Sequence, residues 1–120
     1  MSPEIETYLS GLESDIAPLV IELTHWVDER LPDCSSKLAW GFPCWLGHER
    51  IVSVMPNRAH CNLQLWSGNR LASRWPNRIE GTGKQLRHVK IRGSDGINAE
   101  LEDILAAAYQ LDCEDPVKVR

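Results

Sequence analysis

The stretch His60-Cys61-Asn62-Leu63-Gln64-Leu65-Trp66 decides how this chain folds. Apolar and polar residues alternate along it, and successive side chains of a β-strand point to opposite sides of a sheet. Cys61, Leu63 and Leu65 therefore form one face, and His60, Asn62, Gln64 and Trp66 the other. Leu86-Arg87-His88-Val89-Lys90-Ile91 obeys the same rule. Val89 and Ile91 go inward, Arg87 lies on their side at the strand's start, and His88 and Lys90 go to the second face. A sheet with one apolar face and one polar, aromatic and cationic face needs a covering layer on the first only.

Outward from that stretch, short β-like runs broken by Gly, Pro and Asn fill the middle of the chain. They are Leu38 to Phe42, Cys44 to Gly47, Arg50 to Pro56, His60 to Ser67 and Gln85 to Arg92. Gly47-His48-Glu49 and Asn57-Arg58-Ala59 are short enough for hairpin turns, so neighbouring strands pair antiparallel. Both flanks have helical period. Pro3 suits a first turn capped by Ser2, with Ile5, Tyr8, Leu9 and Leu12 on one side and an end near Gly11. A second helix, capped by Ser14 or Asp15 with Pro18 in its opening turn, carries the stripe Leu19, Val20, Leu23, Trp26, Val27 and stops before Pro32. The last runs from Ile97 to Leu111 behind a Ser94 or Asp95 cap, with Leu101, Ile104, Leu105 and Ala108 inward. The expectation is an α+β fold: a single curved antiparallel sheet of about five strands, with N- and C-terminal helices packed on one face. One domain spans 1–120, with N-terminal helices over about 3–31, the sheet over about 38–92 and the C-terminal helix over about 97–111.

Composition narrows the class. A hydrophobic fraction of 42% and a charged fraction of 25% are those of an ordinary globular protein, which argues against disorder and fibrous repeats. No run nears the roughly 20 apolar residues that cross a bilayer, and Met1-Ser2-Pro3-Glu4 lacks the basic, then apolar, start of a signal peptide. A cytoplasmic monomer or small homo-oligomer without a membrane partner is expected. Cys34, Cys44, Cys61 and Cys113 form no CxxC pair and read as reduced thiols rather than as a disulfide set or a metal site. Charge is unevenly spread: net −7 from Met1 to Asp33, +8 from Cys34 to Gly93 and −5 from Ser94 to Arg120. Acidic helices neutralising a basic sheet would produce this pattern, and so would a basic middle that meets an anionic ligand.

Four ordered motifs carry a resemblance. Leu38-Ala39-Trp40-Gly41-Phe42-Pro43, Ala59-His60-Cys61-Asn62-Leu63-Gln64-Leu65, Gly68-Asn69-Arg70-Leu71 and Ile79-Glu80-Gly81-Thr82-Gly83-Lys84-Gln85-Leu86-Arg87 stand in the order seen in the YdhG-like domain family, also called domain of unknown function 1801. The resemblance covers the chain from its second helix to its last. It implies an α+β fold whose curved antiparallel sheet is similar to that of frataxin, and it brings no catalytic residues with it. Through that likeness of fold it also implies iron handling, an analogy of architecture and not of site.

Several residue groups bear on function. Gly81-Thr82-Gly83-Lys84 has glycines and a lysine that suit an anion, but not the Walker spacing, and a strand follows it where a phosphate loop has a helix. A tight turn is the plainer reading. Trp40 and Trp45, on either side of a Gly-Pro corner, form either a packed corner or the wall of a groove that stacks on a flat or cationic ligand. Cys44 between them reads as an inert buried thiol. The four histidines show neither HxH nor HxxxH spacing, so no metal site is expected from them. Glu4, Glu6, Glu13 and Asp15, or Glu100, Glu102 and Asp103, are the carboxylates an iron site would use, and they suit solvated helix faces equally well. An acidic chain with pI near 5.5 repels nucleic-acid phosphates. No nucleophile–base pair is visible. The leading expectation is a non-enzymatic, cofactor-free binding domain. Trp40, Trp45, His60, Asn62, Gln64, Lys84, Arg87, His88 and Lys90 would engage a small anionic ligand or an acidic protein segment. A frataxin-like iron-binding protein is the alternative.

Overall fold

The computed structural model describes residues 1–118. Two helices, α1 (Pro3–Ser10) and α2 (Ala17–Arg30), precede β1 (Ser35–Ala39), β2 (Phe42–Leu46), β3 (Arg50–Pro56) and β4 (Cys61–Leu65). A two-residue β5 (Ile79–Glu80), β6 (Arg87–Ile91) and α3 (Ala99–Glu114) complete the chain. The strands form one antiparallel sheet in the order β1-β2-β3-β4-β6-β5. The α+β architecture is thus as expected, with six strands rather than about five. The sixth, β5, is too short to show an alternation and exists through pairing with Val89 and His88 of β6.

Parity along β4 holds. Cys61, Leu63 and Leu65 have no exposed surface, and they share one core with Val20, Leu23 and Val27 of α2 and Leu101, Ile104 and Leu105 of α3. Fully burying one such side chain stabilises by roughly 1.5–3 kcal/mol, so this layer carries the fold. Among the described residues no helix is long and apolar enough to cross a membrane.

The sheet begins at Ser35 rather than Leu38, α3 runs on to Glu114 rather than Leu111, and three further local details depart from expectation. The strand expected over Leu38 to Phe42 breaks at Trp40 and Gly41, whose φ values of 54° and 82° make the two-residue turn of the β1–β2 hairpin. Tryptophan favours strands, so propensity alone hides this turn. Neither Ser14 nor Asp15 caps α2; its N-cap is Ile16, with no side-chain cap bond. The cap of α3 is Asn98, whose Oδ1 accepts the Leu101 N–H, because Ser94 to Gly96 fold into their own short 3-10 turn.

Candidate ligand-binding face

All three helices contribute to the core beneath one face of the sheet, and the other face presents a row that crosses all six strands. Register pairs Lys37 with Cys44, Cys44 with Ser53, Ser53 with Gln64, Gln64 with His88, and His88 with Glu80. A second row runs from Met55 through Asn62 to Lys90. No helix lies over these rows, yet Cys44 is fully buried and Ser53 is 2% exposed.

Two indoles lie on this side of the sheet, one of them bonded to Ser53. Trp66 follows β4 on the outer parity, and its Nε1–H donates to Ser53 Oγ at 2.9 Å, which lays the ring back across the face. Trp40 stacks on it with centroids 5.2 Å apart and planes 24° from parallel. Arg50 joins them through a β-bulge. Trp45 pairs with Val52, but Leu46 pairs with Arg50, so Ile51 is an extra residue in β3. Strict alternation would put Arg50 on the inward side of Val52; the bulge buries Ile51 instead and turns Arg50 outward. Its guanidinium carbon sits 4.2 Å from the Trp40 ring centroid and 5.3 Å from that of Trp66.

The turn that places Trp40 is strained. Both central residues have positive φ, the mirror-image geometry that suits Asn-Gly, and glycine meets it at Gly41. For tryptophan the left-handed region costs about 1–2 kcal/mol. Ring stacking at about 0.5–1.5 kcal/mol and a cation–π contact at about 0.5–1 kcal/mol offset a cost of that size. Even so, Trp40 stays 64% exposed, a large hydrophobic ring left in water.

Charge around this roof is cationic. Burial pushes the Cys44 thiol up from its ordinary value, while its Ser53 hydrogen bond and the charges of Arg50 and Lys37 pull it down; Lys37 stands opposite Cys44 in the β1–β2 register. Arg30, Arg70, Arg78 and Lys90 pair with Glu102, Asp115, Glu100 and Glu80 respectively. Among the described residues Lys37 and Arg50 have no such carboxylate. Comparison of the chain with protein-family models, curated proteins and solved structures gives no significant match.

The expected site residues separate into two groups. Trp40, Asn62, Gln64, His88 and Lys90 share the outer face, and His60 adjoins it at the start of β4. Partial burial, followed by the nearby Lys90, Arg92 and His88 charges, lowers the His60 pKa below its ordinary value. Asn62 is 7% exposed and its Oδ1 has no hydrogen-bond partner among the described residues. Gln64 donates to Met55 Sδ at 3.5 Å, and Lys90 lies 3.9 Å from Glu80.

Trp45 and Arg87 belong elsewhere. Trp45 is fully buried on the helix side and donates its Nε1–H to Asp28 of α2 at 3.1 Å, so of the two readings of the corner it is core and not groove wall. Arg87, opposite Leu65, has the inward parity, and its Nε–H donates to the Gly83 carbonyl at 2.8 Å. Lys84 is exposed in the loop that precedes β6. Sequence reasoning put Trp66 on the outer face but left Lys37, Arg50 and Ser53 unremarked. Alternation through Cys44 would have found Lys37 and Ser53; nothing in composition signals the bulge that turns Arg50.

Proposed function

We propose that this chain is a non-enzymatic binding domain whose outer sheet face takes a partner bearing a carboxylate or phosphate. The observation that carries the reading is Arg50 held beside an exposed indole, with Lys37 opposite Cys44 on the same face and neither cation paired with a carboxylate among the described residues. Clustered cations raise the local concentration of anions even on a protein of net charge −4. Membership of the YdhG-like family is part of the same reading, supported by the four ordered motifs and by the antiparallel sheet between terminal helices. A reducing compartment such as the cytoplasm suits the four free thiols.

Iron handling draws no comparable support. Glu4 accepts the Leu38 N–H, while Glu100 and Glu102 pair with Arg78 and Arg30. Among the described residues no group of three or more His, Cys, Asp or Glu side chains is placed to hold a metal ion.

Thermal unfolding in the presence of organic acids and inorganic phosphate tests the proposal, since a ligand at 100 times its Kd adds about 2.7 kcal/mol to the native state. Anion-induced stabilisation should be lost in the Lys37→Ala, Arg50→Ala double variant and kept in Lys84→Ala with Arg87→Ala. Equal stabilisation of the first variant and the wild type would refute it.

A further inference from the structure

We infer that the anion recognised at the outer face is carried on a planar aromatic ring, an aromatic carboxylate that stacks on the bare side of Trp40. The inference rests on the anion-binding reading above and adds the ligand's shape. Three separations define the geometry: 5.2 Å between the Trp40 and Trp66 centroids, and 4.2 and 5.3 Å from the Arg50 guanidinium to each. These sides set the directions from Trp40 to Trp66 and to Arg50 about 68° apart, too little for the two to lie over opposite faces of the ring. Both neighbours therefore press on one side of the Trp40 ring. Its other side is turned to water, in agreement with an exposure of 64%.

A ring held open in this way has a purpose that the turn does not supply. Asparagine at position 40 would meet the positive φ more easily. Tryptophan there is instead fixed from beneath by a second indole and a guanidinium, which leaves a rigid flat platform that loses little freedom when something stacks on it. The charge of Arg50 disfavours a cationic guest on the same ring, although a lone indole would favour one. Lying beneath the ring, with Lys37 on the same face of the sheet, it favours a guest of negative charge. A flat ring and a negative charge are therefore both selected, and a small molecule combining them is an aromatic carboxylate.

Calorimetric titration with 2-naphthoate, uncharged 2-naphthol and the non-planar cyclohexanecarboxylate tests this. The proteins compared are the wild type, Trp40→Asn, Trp40→Phe and the Lys37→Ala, Arg50→Ala double variant. Asparagine suits the turn, so Trp40→Asn should fold, and an unchanged circular dichroism melt of its helices checks that it does. Naphthoate should bind the wild type at least about tenfold more tightly than either control, and Trp40→Asn should lose about tenfold while Trp40→Phe retains most of the affinity. Cyclohexanecarboxylate binding as tightly as naphthoate, or an unchanged Trp40→Asn variant, overturns the aromatic inference and leaves the anion site standing. Naphthol binding as tightly as naphthoate overturns it by removing the charge from recognition. If none of the anions binds, or the double variant binds naphthoate as the wild type does, the parent reading falls as well.

Discussion

Asp112 shows how much one side chain positions here. It lies in α3, is 4% exposed, and its carboxylate accepts the His48 N–H at 2.7 Å and the Glu49 N–H at 2.9 Å. The β2–β3 turn is thereby tied to a helix, and Gly47 fits against the carboxylate where any Cβ would collide with it. Asp112→Asn would set an amide N–H against one of those donors and should cost about 1–3 kcal/mol in urea unfolding, without changing the helix signal. The thiols make a pH prediction. Burial pushes Cys61 up to about 12, and burial with the Asp112, Asp33 and Cys113 charges pushes Cys34 up to about 11. An unfolded thiol ionises near 8.5, so the native state holds these protons longer than the unfolded chain does. Their contribution is complete below that value and is lost as pH climbs from it toward 11 and 12. Stability should fall across this alkaline window, and Cys61→Ala should flatten the fall. At this scale the sequence is legible where alternation is unbroken, as in β4. Trp40 and Trp45 stay undecided because Gly41 and Pro43 interrupt the period between them, and one inserted residue, Ile51, hides the direction of Arg50.

Among the elements, β1 is an edge strand of the sheet, and such an edge offers unpaired backbone groups to other chains. The α1 segment occupies one of them, since Glu4 Oε1 accepts the Leu38 N–H at 2.7 Å, and the Ser2 N–H donates to the Ser36 side-chain Oγ at 3.0 Å. Glu4→Ala should accelerate hydrogen exchange at the Leu38 amide by roughly tenfold, a local change of about 1–2 kcal/mol, and leave exchange in β4 unaltered. An unchanged Leu38 rate would show that the carboxylate does not protect the edge. Helix positions were readable because Pro3, Pro18 and Pro32 punctuate them. The caps were not: Ser94 and Asp95 look as capable as Asn98, and only the preceding 3-10 turn decides among them. The two residues of β5 carry no period at all, since their partner strand defines them.

For the molecule as a whole, the three-part charge distribution has two consequences at once. Arg70–Asp115 and Arg78–Glu100 join the basic middle to the acidic C-terminal part, which is the compensation that composition suggests. Those pairs are largely exposed and each contributes no more than about 1 kcal/mol. Lys37 and Arg50 on the outer face stand outside this pairing, so anion affinity should decline as salt rises from about 0.05 to about 0.5 M, as the Debye length shrinks well below 10 Å. A salt-independent affinity would place recognition in apolar contact alone. The stacked indoles have a last consequence, an optical one. Two identical chromophores stacked 5.2 Å apart with planes 24° from parallel share their excited states, and the coupling appears as a pair of opposite-signed bands in circular dichroism. The hairpin tip therefore reports its own conformation in the spectrum of the intact protein, without a label.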